Sequence, residues 1–232
     1  MSFQDVASKI AFRVALHWLF AGVRLDEKIE EYLKQLDGLA NQPGVCIHFS
    51  DVEERLGINP KGRNWSAGGY FAPAGLYGYL LTPARIRVLR SRKYSYAEGE
   101  DRGFVHVFRA KHMERMLNTS TYDWEQYRND FKKLLPMLSK EKAANAQFSY
   151  GYSHSVPDDG RKPFDILSEM MRSVTRSSIE LTRFLRKLGY SGVIDTDRMM
   201  AKDSPPQLVT FVSVDHLFTM PNPLVMELQP SF

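Results

Sequence analysis

The 232-residue chain has a single cysteine, Cys46. No intramolecular disulfide can staple the fold, and a Cys-x-x-Cys redox or zinc pair is excluded. Cys46 stands in an apolar run and reads as a small buried hydrophobe. Histidine is also sparse: six residues, never three or four apart, so no local metal-ligand spacing exists and no metal is expected. Long apolar runs are missing too. The most apolar stretch, 11–23, is broken by Arg13 and His17 and is too short to span a bilayer. Residues 1–21 lack a secretory layout, because Asp5, Lys9 and Arg13 are spread through them. A cytoplasmic protein without membrane contact is the expectation. Four common signatures are absent as well: a loop ending in Gly-Lys-Ser/Thr, GxGxxG, GxSxG and HExxH. Their absence counts against a P-loop hydrolase, a dinucleotide-fold dehydrogenase, an α/β-hydrolase and a zincin.

What remains is an ordinary globular composition, long enough to bury one core as a single domain over 1–232. The net charge of +4 is modest, yet Arg85, Arg87, Arg90, Arg92 and Lys93 crowd into one short stretch. On a strand, Arg85 and Arg87 would share a face. Either the stretch meets an anionic partner such as nucleic acid, or it guards a strand edge with charge.

Periodicity predicts N-terminal helices over 1–40, the second carrying Ile29, Leu33, Leu36 and Leu39 at helical spacing. Strands are predicted at 45–49, 76–81, 85–91, 103–109, 192–195, 208–212 and 216–220. A helical region is predicted over 113–138, and a long helix over 165–188 that stops at Gly189 by the left-handed cap rule. Strands interrupted by helices, with helices leading, indicate the α+β class.

Two stretches carry the chemistry. The strand Ile47-His48-Phe49-Ser50 delivers an imidazole and a hydroxyl. A Gly/Pro turn then runs through Tyr70 and Pro73-Ala74-Gly75 into the tyrosine-rich strand Leu76-Tyr77-Gly78-Tyr79. A histidine beside stacked aromatic rings suits a flat, amide-bearing heterocycle; a satisfied strand histidine and a core-edge tyrosine strand are the plainer readings.

Taken with Leu56-Gly57-Ile58-Asn59-Pro60, Leu188-Gly189-Tyr190-Ser191-Gly192-Val193-Ile194-Asp195 and Asp203-Ser204-Pro205-Pro206-Gln207-Leu208-Val209-Thr210-Phe211, the chain resembles bacterial and phage ADP-ribosyltransferase domains of the His-Tyr-Glu branch. The likeness covers roughly 45–82 and 184–218, with the motifs in family order. It implies a split pair of small antiparallel sheets with N-terminal helices and a helical insertion within 111–188, and NAD as the substrate in the cleft. The implied reaction cleaves the nicotinamide–ribose bond and transfers ADP-ribose to a protein or nucleic-acid acceptor.

The same resemblance assigns residues. His48 would hold the adenosine-side ribose, and the backbone around Phe49 the nicotinamide amide. Ser50 would shape that pocket. Tyr70 and Tyr77 would sandwich the ring, with Tyr79 able to stand in for Tyr77. The family's catalytic glutamate is not present: Ser204 falls at its place and Gln207 enters the last core strand, with Asp203 beside it. Gln207 is the first candidate for the ribose 2′-hydroxyl and Asp203 the second. An amide stabilises a developing cation less than a carboxylate does. NAD glycohydrolysis, or a degenerate module that binds nucleic acid or protein without catalysis, are therefore the alternatives. Asp195 and Asp197 read as support for the site, as an acceptor-side contact, or as a plain strand-end turn.

Overall fold

A computed structural model of the chain describes residues 25–53, 73–91, 102–144, 146, 162–164, 166–167, 178–195 and 206–226. The expectations for 1–24, Tyr70, Arg92, Lys93, Asp197 and Asp203 lie outside these residues, as does the middle of the helix expected over 165–188.

Seven strands are described: β1 (Val45–Ser50), β2 (Leu76–Leu80), β3 (Phe104–Ala110), β4 (Met116–Asn118), β5 (Gly192–Asp195), β6 (Gln207–Thr210) and β7 (Val214–Pro221). They form one sheet in the order β4-β5-β6-β2-β1-β3-β7. Every ladder is antiparallel except β4–β5. The class is α+β, as expected, but a single mixed sheet stands where a pair of antiparallel sheets was anticipated. A trace of a division remains. β1 pairs with β3 along its whole length, from Val45↔Arg109 to Ser50↔Phe104, whereas its ladder with β2 holds only Cys46↔Leu80 and Ile47↔Tyr79. Beyond Ile47 the sheet forks into β1-β3-β7 and β2-β6-β5-β4.

Helices cover one face. Along α1 (Leu25–Leu39), Ile29, Leu33 and Leu36 are sealed from solvent, the stripe predicted from their spacing. With Ile86 and Leu89 of α2 (Pro83–Ser91) they pack on Val45, Ile47, Val105 and Val107. A second cluster lies over the other branch, where Tyr127, Phe131 and Leu134 of α3 (Trp124–Leu134) and Leu181 and Leu185 of α4 (Ser178–Lys187) cover Leu117, Val193 and Val209. The opposite face carries a smaller cluster of Cys46, Leu76, Phe108, Met116 and Leu208. Cys46 is buried there, as read, and burial pushes its thiol pKa well up, away from thiolate chemistry. Gly78 is required on this face: a β-carbon would meet the Phe108 ring at 2.6 Å and Cys46 Cβ at 2.8 Å.

Two secondary-structure expectations are overturned. The stretch 85–91 is helix, because Thr82 and Pro83 make a helix start: the Thr82 hydroxyl accepts the Arg85 N–H at 3.2 Å, and proline is favoured at the first helical position. The region 113–138 is not one helix. It opens as a 3₁₀ turn (Met113–Arg115) and continues as β4, after which Asn118 accepts from Ser120 N at 3.0 Å and turns the chain. Asp123 then caps α3 by accepting the Gln126 N–H at 2.8 Å. The α4 terminus behaves as expected. Gly189 takes φ 101°, and Tyr190 N donates to Leu185 O at 3.0 Å, the longer bond of a Schellman cap. A last short helix, α5 (Pro223–Met226), follows β7.

Candidate functional site

The fork sets the candidate site. His48 sits on β1 one residue beyond the last β1–β2 pair, and its Nδ1 lies 2.8 Å from the Tyr77 carbonyl. A carbonyl only accepts, so Nδ1 carries the proton and, in the neutral ring, Nε2 is the acceptor. The imidazole thus spans the gap that the two strands leave open. Tyr77, half-buried, donates its hydroxyl to the Pro73 carbonyl, which ties β2 to the turn that enters it. Thr182 of α4 donates to the adjacent Ala74 carbonyl at 2.7 Å. The turn before β2 is therefore held from both sides.

Phe49 and Tyr79 meet edge to face at 6.0 Å on the helix-covered side. Above them lies Arg85 of α2, only 4% exposed, with its guanidinium carbon 5.3 Å from the Phe49 ring centre and 4.8 Å from that of Tyr79. This corrects the reading of the basic stretch. Arg85 is buried on ring faces, Arg90 binds Asp37 at 2.9 Å, and Arg87 remains exposed. A strand face shared by Arg85 and Arg87 does not exist.

Gln207 opens β6 directly across from Tyr79, and on its other side stands Asp195, the last residue of β5. Asp195 is 1% exposed and accepts from Thr119 Oγ1 at 3.2 Å. The row Ile47–Tyr79–Gln207–Asp195 crosses four strands on the helix-covered side. His48 belongs to the neighbouring row. Strand alternation places it with Ser50 on the other side of the pleat, its ring turned into the fork. His48 and Tyr77 are thus in contact, and Phe49 with Tyr79, whereas Gln207 joins Tyr79 and Asp195 rather than His48. Ser50 is occupied locally, its Oγ accepting the Val52 N–H at 3.1 Å.

Sequence reasoning missed a second histidine. His106 of β3 pairs directly with His48 in register and is fully buried. Its Nε2 lies 2.7 Å from the Val52 carbonyl and its Nδ1 2.9 Å from Thr219 Oγ1, which in turn lies 2.9 Å from His216 Nε2. Because Val52 O only accepts, the polarity runs one way: His216 donates to Thr219, Thr219 to His106, and His106 to Val52. Burial keeps the His106 pKa below its ordinary value, and the nearby His216 pushes it the same way; the Val52 bond and Glu53 oppose this. A polar residue inside Phe104-Val105-His106-Val107-Phe108 was the available signal.

Among the described residues no group of three His, Cys, Asp or Glu is placed to hold a metal ion, and no helix is long and apolar enough to cross a membrane. Comparison with protein-family models, with curated proteins and with solved structures finds no match to this chain.

Proposed function

We propose that the chain is an NAD-dependent mono-ADP-ribosyltransferase, acting in the cytoplasm of the producing or host cell. One observation carries the reading. The three motif-bearing segments, far apart in sequence, lie on strands that are neighbours in the order β6-β2-β1. His48, Tyr77 and Gln207 are therefore carried on adjacent strands around one fork, where a flat ring would lie against Tyr77 and the His48 imidazole would meet a ribose hydroxyl, while Tyr79 backs the site from beneath Arg85. Tyr70 and Asp203 stay within the proposal as the second ring wall and the second candidate, after Gln207, for the ribose 2′-hydroxyl.

In this reaction the bond from ribose C1′ to the nicotinamide nitrogen breaks and nicotinamide leaves with the electron pair. An acceptor nucleophile forms the new bond to C1′ and loses its proton to solvent. Gln207 orients the 2′-hydroxyl but brings no charge to the oxocarbenium-like centre. Asp195, across the β5–β6 ladder from it, is the carboxylate of that row, and we assign it the electrostatic support.

Incubation with labelled NAD and a cell lysate tests this. Labelled protein or nucleic acid is expected from the native chain and is lost in His48→Ala and Tyr77→Ala; labelling that both variants retain would remove the site assignment. Gln207→Glu should raise the rate. Neutral Gln207 also favours a second reading, binding without turnover. Calorimetric NAD binding with no label in the native chain, and label appearing in Gln207→Glu, would select it. Free ADP-ribose without macromolecular label would identify a glycohydrolase.

A further inference from the structure

At the far edge of the sheet, three strands from β2, α3 and the turn at Gly189 enclose a cleft of about 490 Å³. That volume is within the range of small-ligand sites. Asp130 forms part of its wall and is 3% exposed. Its Oδ2 accepts two phenol hydroxyls, from Tyr190 at 2.5 Å and from Tyr122 at 3.1 Å. Gln126 Nε2 donates to the Tyr190 oxygen at 2.9 Å and fixes that ring. Both tyrosine pKa values are pushed up, chiefly by burial and then by Asp130. The tyrosines are held as neutral donors.

The other carboxylate oxygen is different. Among the described residues no donor reaches Asp130 Oδ1 and no lysine or arginine stands at ion-pair distance. Nor is that oxygen among the atoms sealed inside the protein, and Asp130 lines the cleft. A carboxylate removed from bulk water with one oxygen unserved calls for a cationic donor. The surroundings agree. Glu125 and Asn129, on adjacent turns of α3, line the same cleft. Arg115, a cation of the wall, is already committed to the Gly189 carbonyl at 3.0 and 3.1 Å.

We infer that this cleft binds a primary ammonium group, such as a lysine side chain, through Asp130 Oδ1. A guanidinium is matched less well, because its fork seeks two carboxylate oxygens and Oδ2 is spent on the tyrosines. An ammonium is a point charge with three donors and can serve Oδ1, Glu125 and Asn129 together. This site is independent of the NAD reading and stands or falls separately.

The test is calorimetry with N-acetyl-lysine amide, n-butylamine and N-acetyl-arginine amide. The lysine probe is expected to bind more tightly than the arginine probe. Asp130→Asn should lose about tenfold in affinity, the value of one charge-assisted hydrogen bond, because its carbonyl oxygen keeps both tyrosines while an NH₂ replaces Oδ1. Lys133→Ala, which removes a competing exposed cation from the wall, should tighten binding and does not depend on Asp130→Asn folding. If n-butylamine binds as well as the lysine probe, the site takes free amines; if only the lysine probe binds, it takes polypeptide lysines. Absence of binding by every amine, tighter binding of arginine, or affinity undiminished in folded Asp130→Asn would overturn the assignment.

Discussion

In each of the two helix-covered cores a buried charged side chain is held by aromatic residues, and the two do it by opposite means. Under α1 and α2, Arg85 rests on the faces of Phe49 and Tyr79. Under α3 and α4, Asp130 is gripped by the hydroxyls of Tyr122 and Tyr190. Aromatic residues serve both, but with different poles: the electron-rich face for the cation, the acidic edge group for the anion. The difference concerns what is left behind. Ring faces lose little when their cation goes, since they pack as hydrocarbons. A buried hydroxyl robbed of its acceptor, as that of Tyr122 would be, stays buried with its proton unserved.

The largest expected effect follows from that asymmetry. Asp130→Ala takes the acceptor from the buried Tyr122 hydroxyl and the part-buried Tyr190 hydroxyl. The cost is about 1–3 kcal/mol for the first and less for the second, and denaturant unfolding should show roughly 2–4 kcal/mol lost. Arg85→Met keeps the stem on the rings and gives up the cation; a loss of about 1–2 kcal/mol is expected. Should Arg85→Met cost as much as Asp130→Ala, the two clamps would be equivalent and the contrast would collapse. Gly78→Ala probes the seam between the branches, forcing a methyl against Phe108; overpacking of this kind costs about 1–3 kcal/mol, read as a lowered melting temperature.

The smallest effect is a pH dependence in the β1-β3-β7 branch. With the folded pKa of His106 held below 6.5 by burial, the unfolded chain takes up the proton first. Stability from this group is complete above about pH 6.5 and drains as pH falls toward the folded pKa. Melting curves between pH 7 and pH 5 should fall less steeply in His106→Gln than in the native chain. Parallel curves would show that another group sets the slope.

Much of the sheet was legible in the sequence because alternation and turn chemistry speak locally. The strands at 45–49, 76–81 and 192–195 were found to within a residue or so. The failures share a cause. In 85–91 the alternating arginines mimicked a strand, while the cap at Thr82-Pro83, four characters long with its arginine, held the decisive information. β4 spans only Met116–Asn118, too short for any period, and exists because β5 is there to pair with it. The candidate site divides likewise. His48 and Tyr77 were readable as a motif, and they meet. The relay through His106, Thr219 and His216 was not, because it joins β3 to β7 by tertiary register. Asp130 carries no local signal in the sequence; its setting depends on Tyr190, sixty residues on.

The strand order has a consequence for how the chain comes off the ribosome. β2, β1 and β3 form the middle of the sheet and are made early, while β6 and β7, which flank them on either side, are made last. Until residues 207–221 emerge, both margins of the nascent trio expose unpaired backbone, and any release short of that point leaves two adhesive edges. Premature termination should therefore yield aggregates rather than a smaller folded protein.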